Sequence, residues 1–118
     1  MKFACLFYHD EVAMGAFPAS QRDAITASCK SWVEGLQKNG QYVDALGLAS
    51  TQTATTVRVR SGQVSYTDGP FAETKEQLAG LTIIEVRDLD EALRIASKIS
   101  VAKTGSIEVR PLFDQLSK

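Results

Sequence analysis

Apolar residues fill six consecutive positions near the start of the chain, residues 3–8. Phe3, Cys5 and Phe7 fall on one side of a period-two pattern, and Ala4, Leu6 and Tyr8 on the other. That predicts a strand over residues 2–9 that is covered on both faces. Residues 10–19 read as a loop ending at Pro18. The period then changes: Ile25, Cys29, Trp32, Val33 and Leu36 recur at helical spacing, predicting a helix over 20–39 capped by Ser20 and stopped by Asn39-Gly40. A weaker strand follows over 43–49. Residues 55–60 alternate, and Ser61-Gly62 turns the chain into a partner strand over 63–66. Residues 80–87 form a second strand with two apolar faces. Asp88 caps a second helix, with Glu91 in capping-box position and Leu89, Ala92, Leu93, Ala96 and Ile99 as its stripe. A last strand spans 106–112.

This order is β-α-β-β-α-β with a hairpin inserted in the middle. It predicts one α+β domain over residues 1–118, a ferredoxin-like split βαβ sheet with both helices on one face. Helices on one face leave the other uncovered, although two central strands are apolar there. The same face of a second copy is the simplest cover, so a homodimer packed sheet to sheet is expected.

Composition changes this picture little. The chain is 44% hydrophobic and 23% charged with a formal net charge of −1, which offers no electrostatic reason for nucleic-acid binding. Arg58, Arg60 and Arg110 suit a single small anion better than a phosphate backbone. Cys5 and Cys29 lack metal-ligand spacing and read as buried thiols. No secretory leader or membrane-length apolar run is evident, so a cytoplasmic protein without membrane partners is expected.

Chemistry concentrates at residues 68–76. Asp68-Gly69-Pro70 is a turn signal, and Glu73, Lys75 and Glu76 crowd around Thr74 just beyond Phe71. Loops on a rigid scaffold are where binding and catalytic groups gather. His9, the only histidine, ends the first strand, and imidazole suits general acid–base work. His9 and Asp68 are therefore the candidate catalytic residues. Glu73, Thr74, Lys75 and Arg110 are candidates for holding substrate. Each also has a structural reading: His9 bonded to a loop carbonyl, Asp68 capping its turn, the loop charges solvated, and Arg110 paired with Glu85 or Glu108. Phe71 reads as a plug beneath its loop. No metal site, phosphate loop or nucleophile elbow is legible, so neither metal nor organic cofactor is expected.

The run Asp68-Gly-Pro-Phe-Ala-Glu-Thr-Lys-Glu76, then Leu78-Ala79-Gly80 and Thr82-Ile83-Ile84-Glu85-Val86, resembles the DGPF branch of the YCII-related family. Residues 7–11, 53–60 and 105–111 fit the same resemblance. It implies a dimeric α+β barrel and implies little about the reaction, since that branch has no generally established one. Some branches of the wider family carry a His–Asp pair in a pocket. Relatives are often encoded near alternative sigma factors, and some bear the label "transcription initiation protein", although this chain shows no DNA-reading helix. Three functions follow as expectations. The first is a small-molecule enzyme using His/Asp proton transfer in elimination, isomerisation or hydrolysis. The second is a non-catalytic ligand-binding or regulatory dimer, and the third a structural dimer whose loop locks the interface.

Overall fold

The computed structural model describes residues 1–116. Strand β1 (Lys2–His9) leads into a short helix α1 (Glu11–Ala16), and helix α2 (Ala19–Lys38) follows. Next come β2 (Tyr42–Gly47), a 3-10 turn (Thr51–Thr53), and the hairpin strands β3 (Thr55–Arg60) and β4 (Gln63–Asp68). Strand β5 (Gln77–Glu85), helices α3 (Leu89–Ala96) and α4 (Val101–Thr104), strand β6 (Ser106–Pro111) and helix α5 (Phe113–Leu116) complete the order. The fold is α+β. Four strands form one sheet in the order β2-β5-β1-β6, each neighbouring pair antiparallel, while β3 and β4 pair only with each other.

Of the two faces of β1 expected to be covered, one forms the heart of the core. Phe3 and Cys5 are buried against Ile84 of β5, Leu36 of α2, and Ala92 and Ala96 of α3. Alanines at both α3 positions let that helix lie close to the sheet. Trp32 joins the two helices: its indole N–H donates to the Ile95 carbonyl at 2.9 Å, and its ring meets Phe7 edge-on with centroids 5.9 Å apart. The opposite sheet face carries Ala4, Leu6, Leu81 and Ile83 in register, with Leu46 beside Leu81 at the β2 edge. Leu46 is 56% exposed, so this stripe is open to solvent in the single chain.

Several boundaries differ from expectation. The segment read as a loop contains α1, because the Asp10 side chain accepts from the Val12 and Ala13 amides and caps it. Helix α2 starts at Ala19 with Pro18, not Ser20, in the capping position. Strand β4 continues to Asp68, so the candidate aspartate ends a ladder opposite Thr55. Strand β5 begins at Gln77, directly after the charged loop and three residues before the expected start, with its register shifting opposite Phe7 and Tyr8. The second predicted helix stops at Ala96, and Ile99 is buried in the link before α4. The Ser61-Gly62 turn is present, with φ of 51° and 75°, the left-handed pair that suits a tight hairpin.

The hairpin has two unlike faces. Val57 lies opposite Tyr66 and Val59 opposite Val64, while Thr56, Arg58 and Arg60 share the other side with Thr67, Ser65 and Gln63. All four apolar residues are more than half exposed. The principal extents of the molecule are 47 × 46 × 19 Å, so the chain is a broad, thin slab.

Candidate functional site

Two concavities draw on successive residues of β5, Gln77 and Leu78 in one wall and Ala79 and Gly80 in the other. The larger, about 560 Å³, lies between α2 and the helix-facing side of the sheet. Its walls include Phe7 and His9 from β1, Arg22, Ile25 and Cys29 from α2, and Gly80 and Thr82 from β5. His9 is there because it continues the Phe3, Cys5, Phe7 alternation, which faces the helices. The smaller, about 390 Å³, lies between residues 48–54 and the loop after β4, with Pro70, Phe71, Thr74 and Gln77 in its lining.

Glu11 joins these regions. Its carboxylate accepts from the Thr51 amide at 2.9 Å, the Thr51 hydroxyl at 3.0 Å and the Ser50 hydroxyl at 3.2 Å. Its own amide donates to Gln77 Oε1 at 2.9 Å, and Gln77 Nε2 donates to the Thr74 carbonyl at 2.6 Å. Gln77 is also the ladder partner of His9. One hydrogen-bonded chain therefore runs from the 3-10 turn through Glu11 and Gln77 to the charged loop, beside the histidine. The Thr51 amide is the main influence holding Glu11 below the ordinary carboxylate range; partial burial opposes it, and the two hydroxyls and His9 add to it.

A carboxylate held low stabilises the fold above its unfolded titration range, and that contribution is lost as pH falls through its folded value. Glu11→Gln is expected to lower stability by about 1 kcal/mol at pH 7, a small value because the group meets solvent. The gap between variant and parent melting temperatures should close below roughly pH 4. Melting curves across pH check this, and a gap independent of pH refutes it.

The candidate residues read from sequence occupy separate places. His9 lines the larger cavity. Asp68 is exposed at the end of β4 and makes no side-chain hydrogen bond or ion pair among the described residues, so it neither caps its turn nor bonds to His9. Glu73 and Thr74 line a shallow hollow with Thr51 and Gly69. The Thr74 hydroxyl donates to the Glu76 carbonyl at 2.6 Å. Lys75 is exposed beside them. Arg110 pairs with Glu108, its Nε donating to Oε2 at 2.8 Å, as its structural reading expects. Phe71 is 79% exposed and plugs nothing; the β3–β4 pair leaves the main sheet and carries the loop away from the core.

Glu11, Ser50, Thr51 and Gln77 were not legible as a group, because 40 residues separate Glu11 from Thr51 and only the fold brings them together. Both cysteines are free. Burial pushes the Cys5 thiol up to about 11. Burial also raises Cys29, against an opposing influence of the Ser100 hydroxyl. Among the described residues no group of three or more His, Cys, Asp or Glu side chains is arranged to hold a metal, and no helix is long and apolar enough to cross a membrane.

An uncharacterised protein of Rhizobium meliloti (strain 1021) is 38% identical over 114 residues, covering 95% of this chain and 92% of its own length. The YCII-related domain matches residues 1–115. With this coverage the chain belongs to the YCII-related family.

Proposed function

We propose that this protein is a small-molecule enzyme in which His9 moves a proton, in an elimination, isomerisation or hydrolysis. The observation that carries the reading is His9 on the wall of a largely apolar cavity of about 560 Å³, a size and character suited to small ligands. An imidazole there can take a proton from a bound compound or return one. Glu11 is the carboxylate near His9, which contributes to its lowered titration, and this supports Glu11 as the acidic neighbour of the proposed proton-transfer group. Asp68 enters the proposal as a second titratable group on the loop side, with Glu73, Thr74 and Lys75 contacting substrate there. Arg110 has the weakest claim, because Glu108 already engages its guanidinium.

A finer fold assignment belongs to the same proposal. The strand order supports the ferredoxin-like split βαβ plan, and the open stripe of Ala4, Leu6, Leu81 and Ile83 favours a second copy packed face to face as a dimeric α+β barrel. The run Asp68–Glu76 supports placement in the DGPF branch. The competing reading is a non-catalytic ligand-binding or regulatory dimer. It draws support from the scarcity of polar groups around the cavity: His9, Arg22 and Cys29 are the titratable side chains lining it.

Incubation with a panel of small acids, esters and carbonyl compounds, followed by mass spectrometry, tests the enzyme. A product formed by the parent and reduced at least about a hundredfold by His9→Gln, at unchanged melting temperature, is expected. Compounds that bind and are recovered unaltered throughout the panel decide for the non-catalytic reading. Asp68→Asn tests the aspartate separately: full turnover removes Asp68 from the mechanism and leaves His9 in it.

A further inference from the structure

We propose that the cavity beneath α2 takes a small amphiphilic carboxylate, its apolar body between helix and sheet and its anionic head at Arg22. This rests on the reading of that cavity as a ligand site and adds the chemical class of its occupant.

The cavity exists because α2 is fastened at one end. Trp32 is bonded to the Ile95 carbonyl, and Leu36 is the only fully buried residue of the helix. The first half of the same apolar stripe, Ile25 and Cys29, is only partly buried and lines open space. Across from it the sheet presents small side chains, Ala45, Gly47 and Gly80. At Gly80 this is obligatory, since a β-carbon would fall 2.5 Å from the Leu46 carbonyl oxygen. Protein interiors are normally packed to crystal density, and unfilled apolar volume costs stability. An apolar guest recovers those contacts.

Charge selects the head group. Of the titratable groups in the lining, Arg22 alone is permanently charged. It has no ion pair among the described residues. Cys29 is held neutral by burial. Glu11, the acidic group next to His9, is outside the lining and engaged by Thr51 and Ser50. Arg22 is exposed and lies on the first part of α2, so a carboxylate there keeps contact with water while the chain behind it is desolvated.

The test titrates the full chain with octanoate, octan-1-ol and octylammonium. Trp32, the only tryptophan, touches Phe7 of the cavity wall and reports occupancy by fluorescence. Protection of Cys29 from alkylation gives a second readout. One octanoate per chain is expected, bound about fivefold more tightly than octanol, the scale of a solvent-exposed ion pair, with octylammonium weakest. Arg22→Gln should bring octanoate and octanol to equal affinity. Ala45→Leu should weaken both about tenfold by filling the space, at a melting temperature close to the parent's. Octanoate binding no tighter than octanol, a preference that survives Arg22→Gln, or uptake of many molecules per chain overturns the inference. Octanoate bound and protecting Cys29 in a protein that alters no compound removes the enzyme reading and leaves this one. Turnover at His9 of neutral or cationic compounds with octanoate excluded does the reverse.

Discussion

Gly105→Ala should be among the least tolerated single substitutions in this chain. Gly105 joins α4 to β6 and lies against the far end of β1. A β-carbon there falls 2.1 Å from the Tyr8 carbonyl oxygen and 3.2 Å from the His9 α-carbon. Both neighbours are backbone, so no rotamer change relieves the clash. Either β6 slides along β1, breaking the pairing of Tyr8 with Ser106, or the strand end carrying His9 moves. Overpacking of this kind costs about 3 kcal/mol or more, from a total that for most domains is about 5–15 kcal/mol. The expected result is a fall in melting temperature of roughly 12 °C or greater by circular dichroism. Gly15→Ala is the control: a β-carbon there meets nothing within 4 Å, and the site is inside α1, where alanine is favoured over glycine. A Gly105→Ala variant that melts with the parent refutes the close approach.

Leu6→Lys is expected to turn the proposed dimer into a folded monomer. Leu6 lies at the middle of the open sheet face, in register with Leu81 on one side and Glu108 on the other. In the single chain a lysine there reaches water and the neighbouring glutamate, so the fold tolerates it. In a face-to-face dimer it carries an added charge into the interface from each copy, beside a Glu108 already engaged by Arg110, costing several kcal/mol. The dissociation constant should rise about a thousandfold or more, read by sedimentation velocity over a concentration series. A parent that stays monomeric at high concentration defeats the dimer proposal. A variant that dimerises as well as the parent moves the interface off this face.

The fold was legible where a single period governs a whole element. The period of β1 placed Phe3, Cys5 and Phe7 on one side without telling which side meets the helices, and carrying it two residues past Phe7 puts His9 with them. The left-handed turn at Ser61-Gly62 was announced by residue type. The Asp88 cap was announced as well, its side chain accepting from the Glu91 amide at 2.9 Å, although Glu91 reaches the Arg87 amide to complete the end of the helix. Helix α1 was not legible: six residues with none buried leave no stripe to read. The site was legible only as fragments. A helical stripe looks the same whether the helix is pressed onto the sheet or stands away from it, so Ile25 and Cys29 read as core although they line a cavity. Phe71 shows the converse, an aromatic in a loop with nothing packed over it.

The β3–β4 ribbon leaves both of its outer edges without a ladder partner, beneath a face of Val57, Val59, Val64 and Tyr66. Unpaired edges next to β-branched and aromatic residues are templates for stacking one molecule on another into fibres. Arg58 and Arg60 project from the ribbon's polar side, where charge makes a neighbouring ribbon a poor match. Charge at these two positions disfavours edge-to-edge stacking of the ribbon, while its apolar side stays exposed.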